Sequence, residues 1–322
     1  MKNKQEILNK LIKEHNEGKC NCDLRYEGTG LCLAGEYLNS CITLEDTLEE
    51  IEINNVIKLN SINNLDAINL LEQIYEEFGN DSINMFLIDF PYTFKGKQRV
   101  TANAWDTPVN IERFFELASK CLTKDGCIAL TATQPFTSYL VMKSIEMNCD
   151  KKYKDIDLVN FKYDWVWEKD NGSNFVHTKH QPMKVHESVL IFGKAPTTYN
   201  KKEYYMLYNP QYTYSKPYNI KRDMSDVTNL EGFKGRTNTN NKDGKRCPRT
   251  VQKIKLERGL HPTQKPTELF EYLIKTYTNE GDIVVDLCAG SGTTKVACLN
   301  TNRKYIVNDI EEKYYNLMLN RN

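Results

Sequence analysis

The sequence predicts an α/β fold, doubly wound around a mostly parallel sheet. Three observations carry this. Short apolar runs alternate with helical patterns along most of the chain. Two of the runs, Asn84–Asp89 and Asp282–Asp286, end in an aspartate, where such sheets place ligands. A glycine-rich turn, Gly290-Ser-Gly292, separates the second run from a helix.

Taken in order, Ile7, Leu8, Leu11 and Ile12 mark a helix in the first ~18 residues. Residues 19–45 show no period. Val56-Ile-Lys-Leu59 suggests a short strand, and Leu65, Ile68, Leu71 and Ile74 a helix running to Phe78. Asn84–Asp89 reads as a buried strand, Ile111–Leu122 as a helix, Gly126–Thr131 as a strand and Phe136–Met147 as a helix. Trp165–Trp167 and Ser188–Phe192 are further strands. After Gly259 come a helix from Thr267 to Tyr277, the strand Asp282–Asp286, a helix from Thr293 and the strand Tyr305–Asp309.

The chain has 322 residues with no net charge, but the charge is segregated. Residues 1–150 carry −9, 151–260 carry +10 and 261–322 carry −1. The basic part includes residues 195–258, which lack apolar periodicity and hold seven tyrosines between Tyr199 and Tyr218. This segment reads as an insertion, with a polyanion such as nucleic acid as its natural partner. The chain divides into an N-terminal extension (1–55), a first α/β half (56–194), the insertion (195–258) and a second half (259–322). No run approaches the ~20 apolar residues of a membrane span. The N-terminal stretch lacks the apolar core of a signal peptide, so a cytoplasmic protein is expected. Cys20, Cys22, Cys32 and Cys41 lack the paired C-x2-C arms of ordinary zinc sites, and His177 and His180 have no matching partners. No metal is expected.

Asp286-Leu-Cys-Ala-Gly290-Ser291-Gly292-Thr293 lets the backbone turn tightly and presents the amides of a helix N-terminus. Asp309, ending the next strand, can take the two hydroxyls of a ribose. There is no third glycine, so the dinucleotide pattern is not met. The segment resembles the S-adenosylmethionine-binding motif of methyltransferases.

Asp89-Phe90-Pro91-Tyr92 resembles the Asp-Pro-Pro-Tyr motif of enzymes that methylate exocyclic amines of adenine or cytosine. Such an amine is a poor nucleophile because its lone pair is delocalised. A carboxylate (Asp89) and a backbone carbonyl at Pro91 can accept its hydrogens, and Tyr92 can stack on a flipped base. Phe90 departs from the motif's usual proline. His261-Pro-Thr263-Gln-Lys265-Pro resembles the segment that leads into the cofactor strand of the beta-class DNA amino-methyltransferases. Catalytic motif, basic insertion, this hexapeptide and cofactor motif also follow that class's permuted order.

The resemblance implies a Rossmann-like, S-adenosylmethionine-dependent methyltransferase fold with an inserted target-recognition region. It implies Asp66, His261, Thr263, Lys265, Asp286, Gly290, Ser291, Gly292, Thr293 and Asp309 as cofactor-binding residues, with Asp66 toward the adenine. Double-stranded DNA is the implied partner, and the family admits a homodimer. Asp at the first motif position points to adenine N6, with cytosine N4 as the alternative. An RNA or protein-amide methyltransferase is a further one. The Asn-, Lys- and Ile-rich composition fits an AT-rich bacterial or phage genome.

Overall fold

The computed structural model describes residues 56–93, 108–172, 174–198, 204–223, 236–257, 259 and 263–321. The expected N-terminal helix, the extension to residue 55, the four clustered cysteines and His261 lie outside them.

The unit Ile57–Asn322 is built on one eight-stranded sheet. In chain order its elements are β1 (Ser61–Asn63), α1 (Ala67–Phe78), β2 (Ile83–Ile88), α2 (Ile111–Cys121), β3 (Leu122–Ala132), α3 (Phe136–Cys149), β4 (Asn160–Glu168) and β5 (His186–Gly193). The basic segment holds short pieces: β6 (Thr213–Tyr214), β7 (Tyr218–Asp223), β8 (Arg236–Asn241), β9 (Lys245–Arg246) and β10 (Val251–Lys253). Then follow α4 (Thr267–Tyr277), β11 (Ile283–Asp286), α5 (Thr293–Asn300), β12 (Lys304–Asn308) and α6 (Glu312–Asn320). Among the described residues, no helix is long and apolar enough to cross a membrane.

The sheet order is β1-β12-β11-β2-β3-β5-β4-β10. Every pairing is parallel except the two made by β5. Both faces are covered, so the central strands are apolar on both sides. Phe86 and Ile88 face one cluster with Leu70, Leu71, Phe114 and Leu140 from α1, α2 and α3. Met85 and Leu87 face the other, with Leu273 and Ile274 of α4, Ala297 of α5 and Met318 of α6.

Three differences from the sequence reading have physical causes. The strand expected at 56–59 lies at Ser61–Asn63. It is an edge strand specified by backbone pairing with β12 rather than by apolar side chains, and Asn60 locks its entry. Val251–Lys253, inside the segment read as an insertion, extends the main sheet by pairing parallel with β4. The final helix α6 has no counterpart in the sequence reading, because it buries only Tyr314 and Met318 and so carries little apolar periodicity.

Candidate active site

The winding of the sheet creates the site. From β11 the chain passes through α5 to β12 on one side; from β2 it passes through α2 to β3 on the other. The direction therefore reverses between β11 and β2, and a crevice opens at their carboxyl ends. Asp286 ends β11 and Asp89 follows β2, so the two motifs flank that crevice. Asp309 follows β12 and Asp66 follows β1, on the adjoining strands. The Cys288 thiol is pushed well up by burial, then by the charges of Asp286, Asp309, Asp89 and Asp66. Four acids distant in sequence thus share one neighbourhood.

On the β11 side the turn is held from within. Asp286 accepts from the Cys288 amide at 3.0 Å and from the Thr294 hydroxyl. Gly290 (φ 52°) and Gly292 (φ 81°) take left-handed conformations that favour glycine. The Asp309 carboxylate accepts from the Gly290 amide at 2.9 Å and from the Glu311 amide at 2.9 Å. Asn308 ties Leu65 and Leu287 together through its side-chain amide. Ser291 and Thr293 are buried, and both accept from Arg321. The first-turn amides of α5 have no intrahelical acceptor. Burial drives the Asp286 carboxyl up to about 7, with Thr294 and Cys288 opposing and Asp89 and Asp309 reinforcing. No lysine or arginine among the described residues pairs with it. A cationic ligand end would supply the missing counter-charge, so the residues present fit an amino-acid-bearing sulfonium cofactor.

Asp66 is exposed and caps α1, accepting from the Ile68 and Asn69 amides at 2.9 and 3.1 Å. Thr263 is exposed. Lys265, read from sequence with the cofactor segment, turns its side chain toward Asp89. Its ammonium pairs with Asp89 and lies 3.4 Å from Glu187. Only its backbone touches the cofactor turn, where its carbonyl accepts from the Thr293 hydroxyl at 3.2 Å.

On the β2 side, Asp89 also accepts from Tyr92 at 2.9 Å and from Thr131. Burial, then the charges of Asp89 and Glu187, hold the Tyr92 phenol protonated, as a donor. Its ring lies 5.6 Å from that of Phe136. The Pro91 carbonyl accepts from the Thr93 amide at 2.8 Å, which leaves one of its two lone pairs. Phe90 turns away from the crevice into the core, 4.9 Å from the Phe114 ring.

A family model described as DNA methylase matches residues 83–320, well over half of the chain. The chain belongs to that family. Among similar proteins is the DNA adenine methyltransferase YhdJ of Escherichia coli strain K12. It is 27% identical over 258 residues, covering 75% of this chain and 76% of the relative. The crystal structure of the M1.HpyAVI–SAM complex, where SAM is S-adenosylmethionine, is 22% identical with a TM-score of 0.50. It covers 81% of this chain and 99% of that one. The PvuII DNA methyltransferase, described as cytosine-N4-specific, is 15% identical with a TM-score of 0.52, covering 82% and 86%. Both structures show the fold alone. Methyl transfer in the family depends on S-adenosylmethionine.

The methylase has further residues at its crevice that sequence reading missed. Glu187, at the start of β5, pairs with Lys169 as well as Lys265. Burial alone would raise its carboxyl; Lys265 and Lys169 overcome this and hold it at about 2. Burial likewise opposes the Lys265 charge, but Asp89 and Glu187 outweigh it and raise its pKa. The result is a mostly buried chain of alternating charges, Lys169–Glu187–Lys265–Asp89. Arg321 bonds the Gly-rich turn at Ser291 and reaches Glu257 at 3.0 Å. In the basic segment, Lys245 lies 3.6 Å from the centre of the Tyr212 ring and Arg246 4.5 Å from that of Tyr218. Tyrosines there steady cations.

Proposed function

We propose that the methylase transfers the methyl group of S-adenosylmethionine to the N6 amino group of adenine in double-stranded DNA. The observation that carries this is the pairing of Asp89 and Tyr92 with the Asp286–Thr293 turn across one crevice. When bound, S-adenosylmethionine supplies an electrophilic methyl on a sulfonium.

In this reading Asp286 takes the cationic amino-acid end, Asp309 the ribose hydroxyls and Asp66 the adenine edge. The exposed position of Asp66 leaves a carboxylate oxygen beside its two capping bonds for that contact. Gly290, Ser291, Gly292 and Thr293 line the approach, and Thr263 is exposed ahead of it. Lys265 joins the two halves through its carbonyl and its ammonium.

Asp89 accepts one hydrogen of the target amine, and the free lone pair of the Pro91 carbonyl accepts the other. The nitrogen then pyramidalises and directs its lone pair at the methyl group, a positioning and electrostatic device without a covalent intermediate. The amine's lost proton passes to the Asp89 side. Tyr92 stacks on the extruded base while its hydroxyl orients Asp89. Lys245 and Arg246, each braced by a tyrosine, neutralise DNA phosphates.

The aspartate of the motif and the adenine methyltransferase among the relatives support adenine. Cytosine N4 is the second reading, favoured by the likeness to a cytosine-N4-specific enzyme's fold. Incubation with tritiated S-adenosylmethionine and DNA, then digestion to nucleosides, decides between them. Label in N6-methyl-2′-deoxyadenosine is expected. Label in N4-methylcytosine, or only when RNA is offered, overturns the proposal.

A further inference from the structure

The connection from β4 to β5 takes no part in the chemistry above, yet it is rooted in the site. The Lys169 amide donates to the Val185 carbonyl at 2.7 Å and closes the loop's base. Beside that base, Glu187 accepts from the Tyr92 hydroxyl at 3.4 Å and pairs with Lys169. Because β5 runs against β3 and β4, the loop leaves the sheet at the same edge as Asp89.

Its tip is apolar and held outward. Phe175 and Val176 sit on a single helical turn and are 71% and 67% exposed. They do not fold back, because polar bonds fix the turn. The Asn174 side chain accepts from the Lys184 amide at 2.6 Å and donates to the Pro182 carbonyl at 3.2 Å. The Thr178 hydroxyl donates to the Phe175 carbonyl at 2.9 Å. Around the pair, residues 171–186 contain Lys179, Lys184, His177, His180 and His186 and no acid.

We propose that this loop is a wedge for duplex DNA: Phe175 and Val176 enter the stack at the target base pair and fill the space of the extruded base. Lys179 and the histidines bear on the flanking phosphates. Apolar side chains inserted at a base step compensate lost stacking, and cations without acids favour a polyanion. A second copy of the chain fits poorly, since a symmetric contact would set this basic patch against itself. The wedge rests on the DNA-methyltransferase reading and assigns its base-opening step.

The test uses the full chain. Modified positions in plasmid DNA are mapped first. Single-turnover methylation is then measured on a duplex spanning one such position, and on the same duplex with an abasic site opposite the target. The double variant Phe175→Ala/Val176→Ala is expected to lose about tenfold on the paired duplex and little on the abasic one, where no pairing must be broken. Calorimetric S-adenosylmethionine binding and the melting temperature should match wild type. Phe175→Leu with Val176 kept, which preserves an apolar tip, should lose much less. Equal losses on both duplexes, no loss on either, or a concentration-dependent dimer that only the double variant abolishes would each overturn the wedge. Failure of the wild type to methylate DNA at all would instead sink the parent reading.

Discussion

Glu187→Gln removes one charge and almost no volume from the chain Lys169–Glu187–Lys265–Asp89. Glu187 titrates at about 2 instead of 4.5, and its side chain is 12% exposed. A shift of that size corresponds to roughly 3 kcal/mol of native-state stabilisation. Removing one partner of a buried pair costs about 3–5 kcal/mol, which agrees. The sign follows from a depressed carboxylate: the contribution is complete above the unfolded value near 4.5 and is lost as pH falls toward 2. Urea unfolding should therefore place the variant about 3 kcal/mol below wild type at pH 7. Near pH 3.5 the gap should narrow by about 1.4 kcal/mol, because unfolded wild type takes up a proton there and glutamine cannot. With Lys265 less firmly held on Asp89, kcat should fall about tenfold while KM for S-adenosylmethionine moves less than about twofold. A gap below about 1 kcal/mol at pH 7, or one that does not narrow in acid, would show that the Lys265 and Lys169 pairs do not hold the Glu187 carboxylate in its charged form.

Two further predictions concern the cofactor turn. With the Asp286 carboxyl at about 7, a cationic ligand end must displace its proton, so affinity should rise with pH through neutrality. Calorimetry at pH 7 in buffers of different ionisation enthalpy should show release of about half a proton, and Asp286→Asn should abolish it. Gly292→Ala places a side chain on a left-handed residue, with its Cβ 2.8 Å from the Met318 side chain. It should lower stability by about 1–3 kcal/mol in thermal melts and weaken cofactor binding; a variant as stable as wild type would contradict the strained turn.

Much of this is legible in the sequence because local pattern and chemistry coincide there. The strands before Asp89, Asp286 and Asp309 are each apolar runs that end in a polar signal. Their neighbourhood follows from the winding rules of a parallel sheet. What escapes is what only tertiary structure assembles. Glu187 reaches Lys265, and Lys169 reaches Glu187, because β5 runs antiparallel and so begins at the sheet edge where β3 and β4 end. No periodicity announces that. Lys265 sits next to the cofactor segment in sequence, yet its side chain points across the crevice to Asp89. Val251–Lys253 reads as part of a polar insertion because an edge strand is held by backbone bonds and needs little apolar sequence. Phe175 and Val176 carry no signal as a feature, since two apolar residues in a loop normally mean burial.

In the proposed reaction Asp89 acts on the target amine and does not hold the cofactor. Single-turnover methyl transfer by Asp89→Ala at saturating S-adenosylmethionine and DNA, with cofactor affinity measured alongside, tests it most directly. The predicted result is a rate lower by at least about a hundredfold with affinity within about twofold of wild type. Transfer at the wild-type rate, or a loss explained wholly by weaker cofactor binding, would contradict it.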